Sequence, residues 1–142
     1  MATFPLRLLS MNGPVFEGDV AFVTVPTEKG PLTIEPGYTN FIGALSPAGV
    51  LIIGTGRGKE YYAVFGGAVD VKRNQGVSIY SEDVNYGYEI DMARAMASRD
   101  RNLDRIAKHE DGVDIQRARI KLAKALVRIN VKTLSEGGNG AF

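Results

Sequence analysis

The sequence predicts an α+β protein built in chain order: an N-terminal antiparallel β-sandwich, then a C-terminal antiparallel helix hairpin. Three observations predict it. All 6 prolines lie before residue 48, and 13 of the 17 glycines lie before residue 89. Both residues make turns and sit poorly inside helices, so this segment reads as short strands. Residues 90–107 then hold neither proline nor glycine, and apolar residues recur at helical spacing. The charge also changes sign, from 6 basic and 9 acidic side chains in residues 1–89 to 11 basic and 6 acidic in residues 90–134. Segments of opposite sign meet each other or meet different partners. A length of 142 residues suits one domain or a small domain with an appendage, and 44% apolar residues suit a folded chain.

The elements follow in order. "FPLRLLS" is a short apolar-rich strand, closed by a turn at Asn12, Gly13 and Pro14. "DVAFVTVP" places Val20, Phe22 and Thr24 on one face and Ala21, Val23 and Val25 on the other, as expected of a strand buried between layers. "VLIIGTGRGKEYYAVF" and "GAVDVKRNQGVSIYS" read as hairpins that turn at "GTGRG" and "RNQG". Strands at such short intervals favour an antiparallel sandwich or barrel.

In the first helix, Met92, Met96, Leu103 and Ile106 are expected to form one apolar face. Asp91 stands at its start, where the helix dipole favours an acid. "HEDGVD" breaks the helix, with Gly112 free to take a positive φ and Asp114 placed to cap the next helix. Ile115, Ala118, Leu122, Leu126 and Ile129 form the second stripe, to Leu134. Ala93, Ala97, Ala107, Ala118 and Ala125 would let the helices approach closely. The expected boundaries are 1–88 for the sandwich, 89–134 for the hairpin and 135–142 for a frayed tail. One narrow apolar face per helix leaves the hairpin marginal alone, so it is expected to dock on the sandwich or on a partner.

The same residues exclude several chemistries. No cysteine is present, which removes disulfides and thiolate metal ligands. No apolar run reaches the roughly 18 residues of a membrane span, and Pro5 and Arg7 make the N-terminus a poor signal peptide. His109 is the only histidine, so no histidine metal set is available, and it reads as part of an exposed turn. In "GTGRG", Gly58 and Lys59 precede Glu60 rather than Ser or Thr, so a hairpin turn is expected and not a phosphate loop. No nucleophile, base and orienting acid assemble, and no catalytic residue is assigned. Two basic stripes remain: Arg94, Arg101, Arg105 and Lys108 on the first helix, and Arg117, Lys121, Lys124 and Arg128 on the second. They read either as solvated polar faces or as a surface for a polyphosphate or an acidic protein. Nucleic acid is disfavoured, because the helices lack aromatic side chains to stack on bases.

Taken together, the residues resemble the epsilon subunit of F-type ATP synthases from about residue 4 to residue 134. The likeness rests on "VFEGDVAFVTVPTEKGPLTIEPGYTNFIGALSPAGVLII", "YAVFGGAVDVKRNQGVSI", "IDMARA" at residues 90–95 and "RARIKLAKALVRINV", in that order and spacing. The resemblance implies a non-catalytic rotor subunit of a proton- or sodium-driven synthase. Its sandwich would bind the gamma subunit and the c-subunit ring, with Pro31, Glu35, Pro36, Gly37 and Tyr38 facing them. Its hairpin would be movable, lying on the sandwich or extending along gamma. In the extended state Arg105, Lys108, Arg117 and Lys121 would reach the acidic region of the alpha/beta head and restrain hydrolysis. It implies a peripheral place on the cytoplasmic face of a bacterial inner membrane, or on the stromal side of a thylakoid.

In some members of that family the folded hairpin holds ATP. The matching positions here are Ile90, Asp91, Arg94, Ala95, Arg101, Lys124 and Arg128. No cofactor is required on this reading, and ATP, with or without Mg, is an optional regulatory ligand. The family pattern has arginine at Lys124 and an acid near Asn85. Lysine keeps the charge but loses the planar fork that grips phosphate, so weak binding is expected. Tyr38 replaces a frequent histidine, and Pro31 lies where an acid is frequent, both on the ring-facing side. The competing expectations are a free-standing ligand- or nucleotide-binding sandwich with a helical lid, and a nucleic-acid module whose affinity would fall steeply with salt.

Overall fold

A computed structural model describes residues 2–108 and 112–141. His109 lies outside the described residues. The strands are β1 (Phe4–Ser10), β2 (Gly13–Val20), β3 (Phe22–Thr27), β4 (Gly30–Ile34), β5 (Phe41–Ala44), β6 (Gly49–Thr55), β7 (Gly58–Val64), β8 (Ala68–Lys72), β9 (Gly76–Tyr80) and β10 (Val84–Tyr86). A 3₁₀ turn at Gly87–Glu89 leads to α1 (Met92–Lys108) and α2 (Gly112–Ala141).

The strands form two facing five-stranded sheets, ordered β2-β1-β9-β8-β5 and β10-β7-β6-β3-β4. The expected sandwich is present, antiparallel throughout the described pairings except where β1 runs parallel to β9, from Leu6 opposite Val77 to Leu9 opposite Tyr80. Leu6, Leu8, Val69 and Ile79 from one sheet meet Val23, Ile34, Leu51 and Ile53 from the other in a closed core. Alternation along each strand delivers these side chains to the inner face.

Both expected hairpins form. β6 pairs with β7, and the Thr55 hydroxyl donates to the Gly58 carbonyl while accepting from the Arg57 N–H. "GTGRG" is therefore a hairpin turn. β8 pairs with β9 across a turn in which Asn74 takes φ 65°, a conformation asparagine tolerates.

"DVAFVTVP" is not one strand. β2 ends at Val20 and β3 begins at Phe22 in the opposite sheet. The chain crosses between layers at Ala21, whose N–H donates to the Gly54 carbonyl at 2.7 Å. The crossing shifts the alternation by one residue, so Val20 and then Val23 and Val25 point into the core. Apolar residues on both faces recorded a change of sheet, not a strand between layers. The strand buried on both faces is β7. Tyr62 and Val64 enter the sandwich core, while Tyr61 and Ala63, with Phe65 beyond the strand, form a second cluster with Ile90 and Val131. That cluster docks α2 on the outside of the second sheet, and Val127 and Leu134 pack against it.

The helices exist where expected, but their faces differ. α1 buries Ala95 and Asn102, with Met92 and Ile106 half-buried, while Met96 and Leu103 are exposed. On α2, Ala118 and Ala125 are buried and Leu126 is 48% exposed. Ala93, Ala97 and Ala107 face solvent, and Ala95 takes their place between the helices. The buried positions step by three and four residues along a line close to the heptad seam. Steps of four drift off such a line, which is why the stripe drawn through Met96 misses it. Gly112 begins α2 instead of separating the helices, and Asp114 lies in its first turn. The residues expected as a tail continue α2 to Ala141, and Ser135 is buried.

Gly87 sets how closely α2 approaches. A Cβ there would overlap the Ser135 hydroxyl and come within 2.9 Å of the Tyr61 carbonyl. Gly87→Ala is expected to weaken α2 docking by about 1–3 kcal/mol. Amide hydrogen exchange should then quicken along α2 while β1 and β9 keep their protection. Unchanged exchange in α2 would mean that this approach does not limit docking.

Candidate functional site

A cleft of about 580 Å³ opens between the end of the second sheet and the two helices, within the size range of small-molecule sites. Four elements build it. β10 and the 3₁₀ turn bring Asn85 and Glu89, α1 brings Arg94 and Arg101 with Asp91 just before it, and α2 brings Lys121 and Arg128. Asp91 caps α1, its Oδ1 accepting the Arg94 backbone N–H at 3.1 Å, so the acid orients the first turn of the helix that carries both arginines.

Arg128 is fixed in place. Its Nε donates to Asn85 Oδ1 at 2.8 Å, its Nη2 lies 3.4 Å from Asp83 Oδ2, and its guanidinium carbon sits 4.6 Å from the centre of the Phe65 ring. The ring and the two oxygens clamp the guanidinium as a cation–π and charge-assisted pair. Lys132 adds a second tie, donating to the Tyr88 carbonyl at 2.8 Å. Arg94, Arg101, Lys121 and Arg128 line the cleft together with Glu89 and Asp91, and Arg128 also pairs with Asp83. With Asp83 counted beside Arg128, four cations against three acids leave a small positive surplus, which favours an anion.

Of the residues assigned to nucleotide, Ile90, Asp91, Arg94, Ala95, Arg101 and Arg128 converge on this cleft. Two serve the fold as well: Ile90 belongs to the docking cluster, and Ala95 is buried. Lys124 is not among the lining residues. Its Nζ lies 5.6 Å from the centre of the Phe65 ring, and Lys121, assigned to the catalytic head, takes the place in the cleft. The signal was in the spacing. Seven residues return a side chain to within about 20° of the same helical azimuth, whereas four overshoot by about 40°. Lys121 and Arg128 therefore share a line, as Arg94 and Arg101 do.

The remaining basic residues, Arg105, Lys108 and Arg117, are exposed on the hairpin, and Lys108 pairs with Asp104 at 3.0 Å. At the sandwich, Glu35, Pro36, Gly37 and Tyr38 form a tight turn. The Tyr38 N–H donates to the Glu35 carbonyl at 3.2 Å, and Gly37 takes φ 82°, the type II arrangement of proline followed by glycine. Pro31 does not join this turn. It opposes Pro26 near the other end of the edge strand β4, about 13 Å of strand away.

Comparison with known proteins gives the family. A family model described as ATP synthase, Delta/Epsilon chain, beta-sandwich domain, matches residues 3–86. A second, described as ATP synthase, Delta/Epsilon chain, long alpha-helix domain, matches residues 89–133. The chain belongs to the ATP synthase delta/epsilon chain family. It is similar to the ATP synthase epsilon chain of Bacillus velezensis, with 34% identity over 92% of this chain and 98% of that one. The ATP synthase epsilon chain of Bordetella avium is 32% identical over 87% of this chain and 86% of its own. Among solved structures, the fold matches a chain in the Euglena gracilis mitochondrial ATP synthase (OSCP, F1 and c-ring) with a TM-score of 0.79 at 21% identity, covering 89% of this chain and 79% of that chain. A chain of the Tetrahymena thermophila central stalk and c-ring matches with a TM-score of 0.60 at 16% identity, covering 91% and 96%. At these identities the structural matches speak for the fold. The family matches meet at the 3₁₀ turn that carries Gly87, where the cleft begins.

If the cleft holds ATP, Lys121→Ala weakens that binding by roughly tenfold, the loss of one charge-assisted contact, while Lys124→Ala changes it by less than about threefold. Isothermal titration of the full chain measures both. The reverse order would return the phosphate contact to Lys124.

Proposed function

We propose that this member of the delta/epsilon family is a non-catalytic rotor subunit in the central stalk of an F-type ATP synthase. Its sandwich binds the gamma subunit and the c ring and so couples ring rotation to the catalytic head, and its hairpin regulates ATP hydrolysis. The observation that carries the reading is how the hairpin is held. α2 rests on a small cluster around Val131, on Arg128 with Asn85 and Asp83, and on Lys132 with the Tyr88 carbonyl. Partly exposed polar ties of this kind contribute little each, while the sandwich closes its own core without the helices. The helices can therefore leave and the anchor remain folded.

In the released state, Arg105, Lys108 and Arg117 would meet the acidic region of the alpha/beta head, with Lys121 freed from the cleft. In the docked state, the cleft would hold the phosphates of ATP, with or without Mg, and favour the closed form. Binding would be weak, because Arg128 already donates to Asn85 and Asp83 and Lys121 lacks the arginine fork. The subunit would sit peripherally at the cytoplasmic face of a bacterial inner membrane. No helix among the described residues is long and apolar enough to cross a membrane.

Reconstitution tests the reading. The full chain and a version ending at Glu89 are mixed with a catalytic head that contains gamma but lacks its own subunit of this family. Both should bind, and only the full chain should slow ATP hydrolysis. If neither binds a matched head, the rotor function fails and a free-standing nucleotide-binding sandwich with a helical lid becomes the better account. ATP should bind the full chain with a dissociation constant above the low micromolar range, and tighter binding would contradict the weak site.

A further inference from the structure

The seam between α1 and α2 contains one residue that does not suit it. Asn102 is fully buried. Its Nδ2 donates to the Ser98 carbonyl at 2.8 Å and lies 3.3 Å from the Ser98 hydroxyl, both in its own helix. The Ser98 carbonyl can only accept, which fixes which end of the amide is the nitrogen. The other end, Asn102 Oδ1, is buried with no hydrogen-bond partner among the described residues. A buried polar atom without a partner opposes the packing that buries it, and here separation of the helices would return it to water.

The rest of the seam has the same character. The other fully buried residues along it are alanines: Ala95 on α1, and Ala118 and Ala125 on α2. Met96 and Leu103 on α1, and Ile120 and Leu126 on α2, are exposed. Apart from Val131 on the docked side, the fully buried side chains of the hairpin are thus small or a half-satisfied amide, with Met92, Ile106, Ile115 and Leu122 half-buried and four large apolar side chains left outside.

We propose that Asn102 is a built-in weak point that keeps the closed hairpin metastable, so that α1 and α2 part readily. Asn102 touches no ligand in this account. It sets the equilibrium between closed and open hairpin. The consequence for hydrolysis rests on the regulatory reading above, but the effect on opening does not.

Two substitutions with opposite expected signs test it in the full chain. Asn102→Ala removes the orphaned oxygen and matches its alanine neighbours, at the cost of a small void and the bonds to Ser98. Asn102→Asp keeps the shape and places a carboxylate where no partner waits. Amide hydrogen exchange of α1 and α2 is the first readout. Asn102→Ala should slow exchange by about tenfold and Asn102→Asp should quicken it by at least as much at neutral pH, with the strands of both variants unchanged. The quickening by Asp should fade as pH falls and the carboxyl takes up a proton, while exchange in the alanine variant stays slow across the same range. Faster or unchanged exchange in Asn102→Ala would overturn the proposal, since it would make Asn102 a net stabiliser or neutral.

Hydrolysis by the reconstituted head is the second readout. Less inhibition with Asn102→Ala and more with Asn102→Asp would join the weak point to regulation. Slower exchange in Asn102→Ala with unaltered hydrolysis would uphold Asn102 as the weak point and count against the regulatory reading. Unaltered exchange would refute the role of Asn102, and the version ending at Glu89 would still decide whether the hairpin regulates.

Discussion

The approach of α2 to the end of the sandwich is the contact on which the hairpin's position depends. Gly87 has no side chain, so Ser135 reaches the 3₁₀ turn, and Val131 settles among Tyr61, Ala63, Phe65 and Ile90. Ile90 also stands just before α1, so one small cluster positions both helices. The cleft is a product of this docking. Its cations come from the helices and its floor from β10 and the 3₁₀ turn, and neither half forms a site alone. Anything that loosens α2 must therefore dissolve the cleft, and a ligand that bridges the halves must hold α2 down. That reciprocity is required by linkage.

Tyrosines occupy the flank of this contact. Tyr62 and Tyr86 pack with ring centres 5.2 Å apart, and Tyr86 and Tyr88 with centres 5.6 Å apart. Burial, then the carboxylate of Glu60, which also accepts the Tyr62 hydroxyl at 3.0 Å, raises the Tyr62 ionisation above the ordinary tyrosine range. Tyr86 is raised too, by burial first and then Glu60. Both rings stay neutral through the physiological range.

The two parts of the molecule are built to different standards. In the sandwich, the inner residues of both sheets are large, branched and closed from water, as expected of a core that must stand alone. In the hairpin, the fully buried side chains between the helices are alanines and one asparagine, and α2 rests on the small cluster around Val131 with charged side chains adding weak ties at its edge. Dispersion and apolar burial scale with the atoms brought together, so the seam gains much less per residue than the sandwich. A rigid anchor with a loosely held arm follows from side-chain size.

The sequence by itself determined the two-part division, the two glycine-turned hairpins, the existence of both helices and most of the cationic set, because these are local. Proline, glycine and helical period act within a few residues, and arginines seven apart must share a face. It did not determine what each face meets. "DVAFVTVP" looked like a two-faced strand because a change of sheet at Ala21 and burial on both sides give the same pattern of apolar residues. β7 carries "YYAVF" because α2 covers it from far along the chain. Met96 and Leu103 matched a helical stripe, yet docking through Val131 and Ala125 chose the neighbouring line through Ala95 and Asn102. The same rotation brought Lys121 into the cleft and turned Lys124 to Phe65. A helix can present several faces of similar hydrophobicity, and only the surface it packs on decides between them.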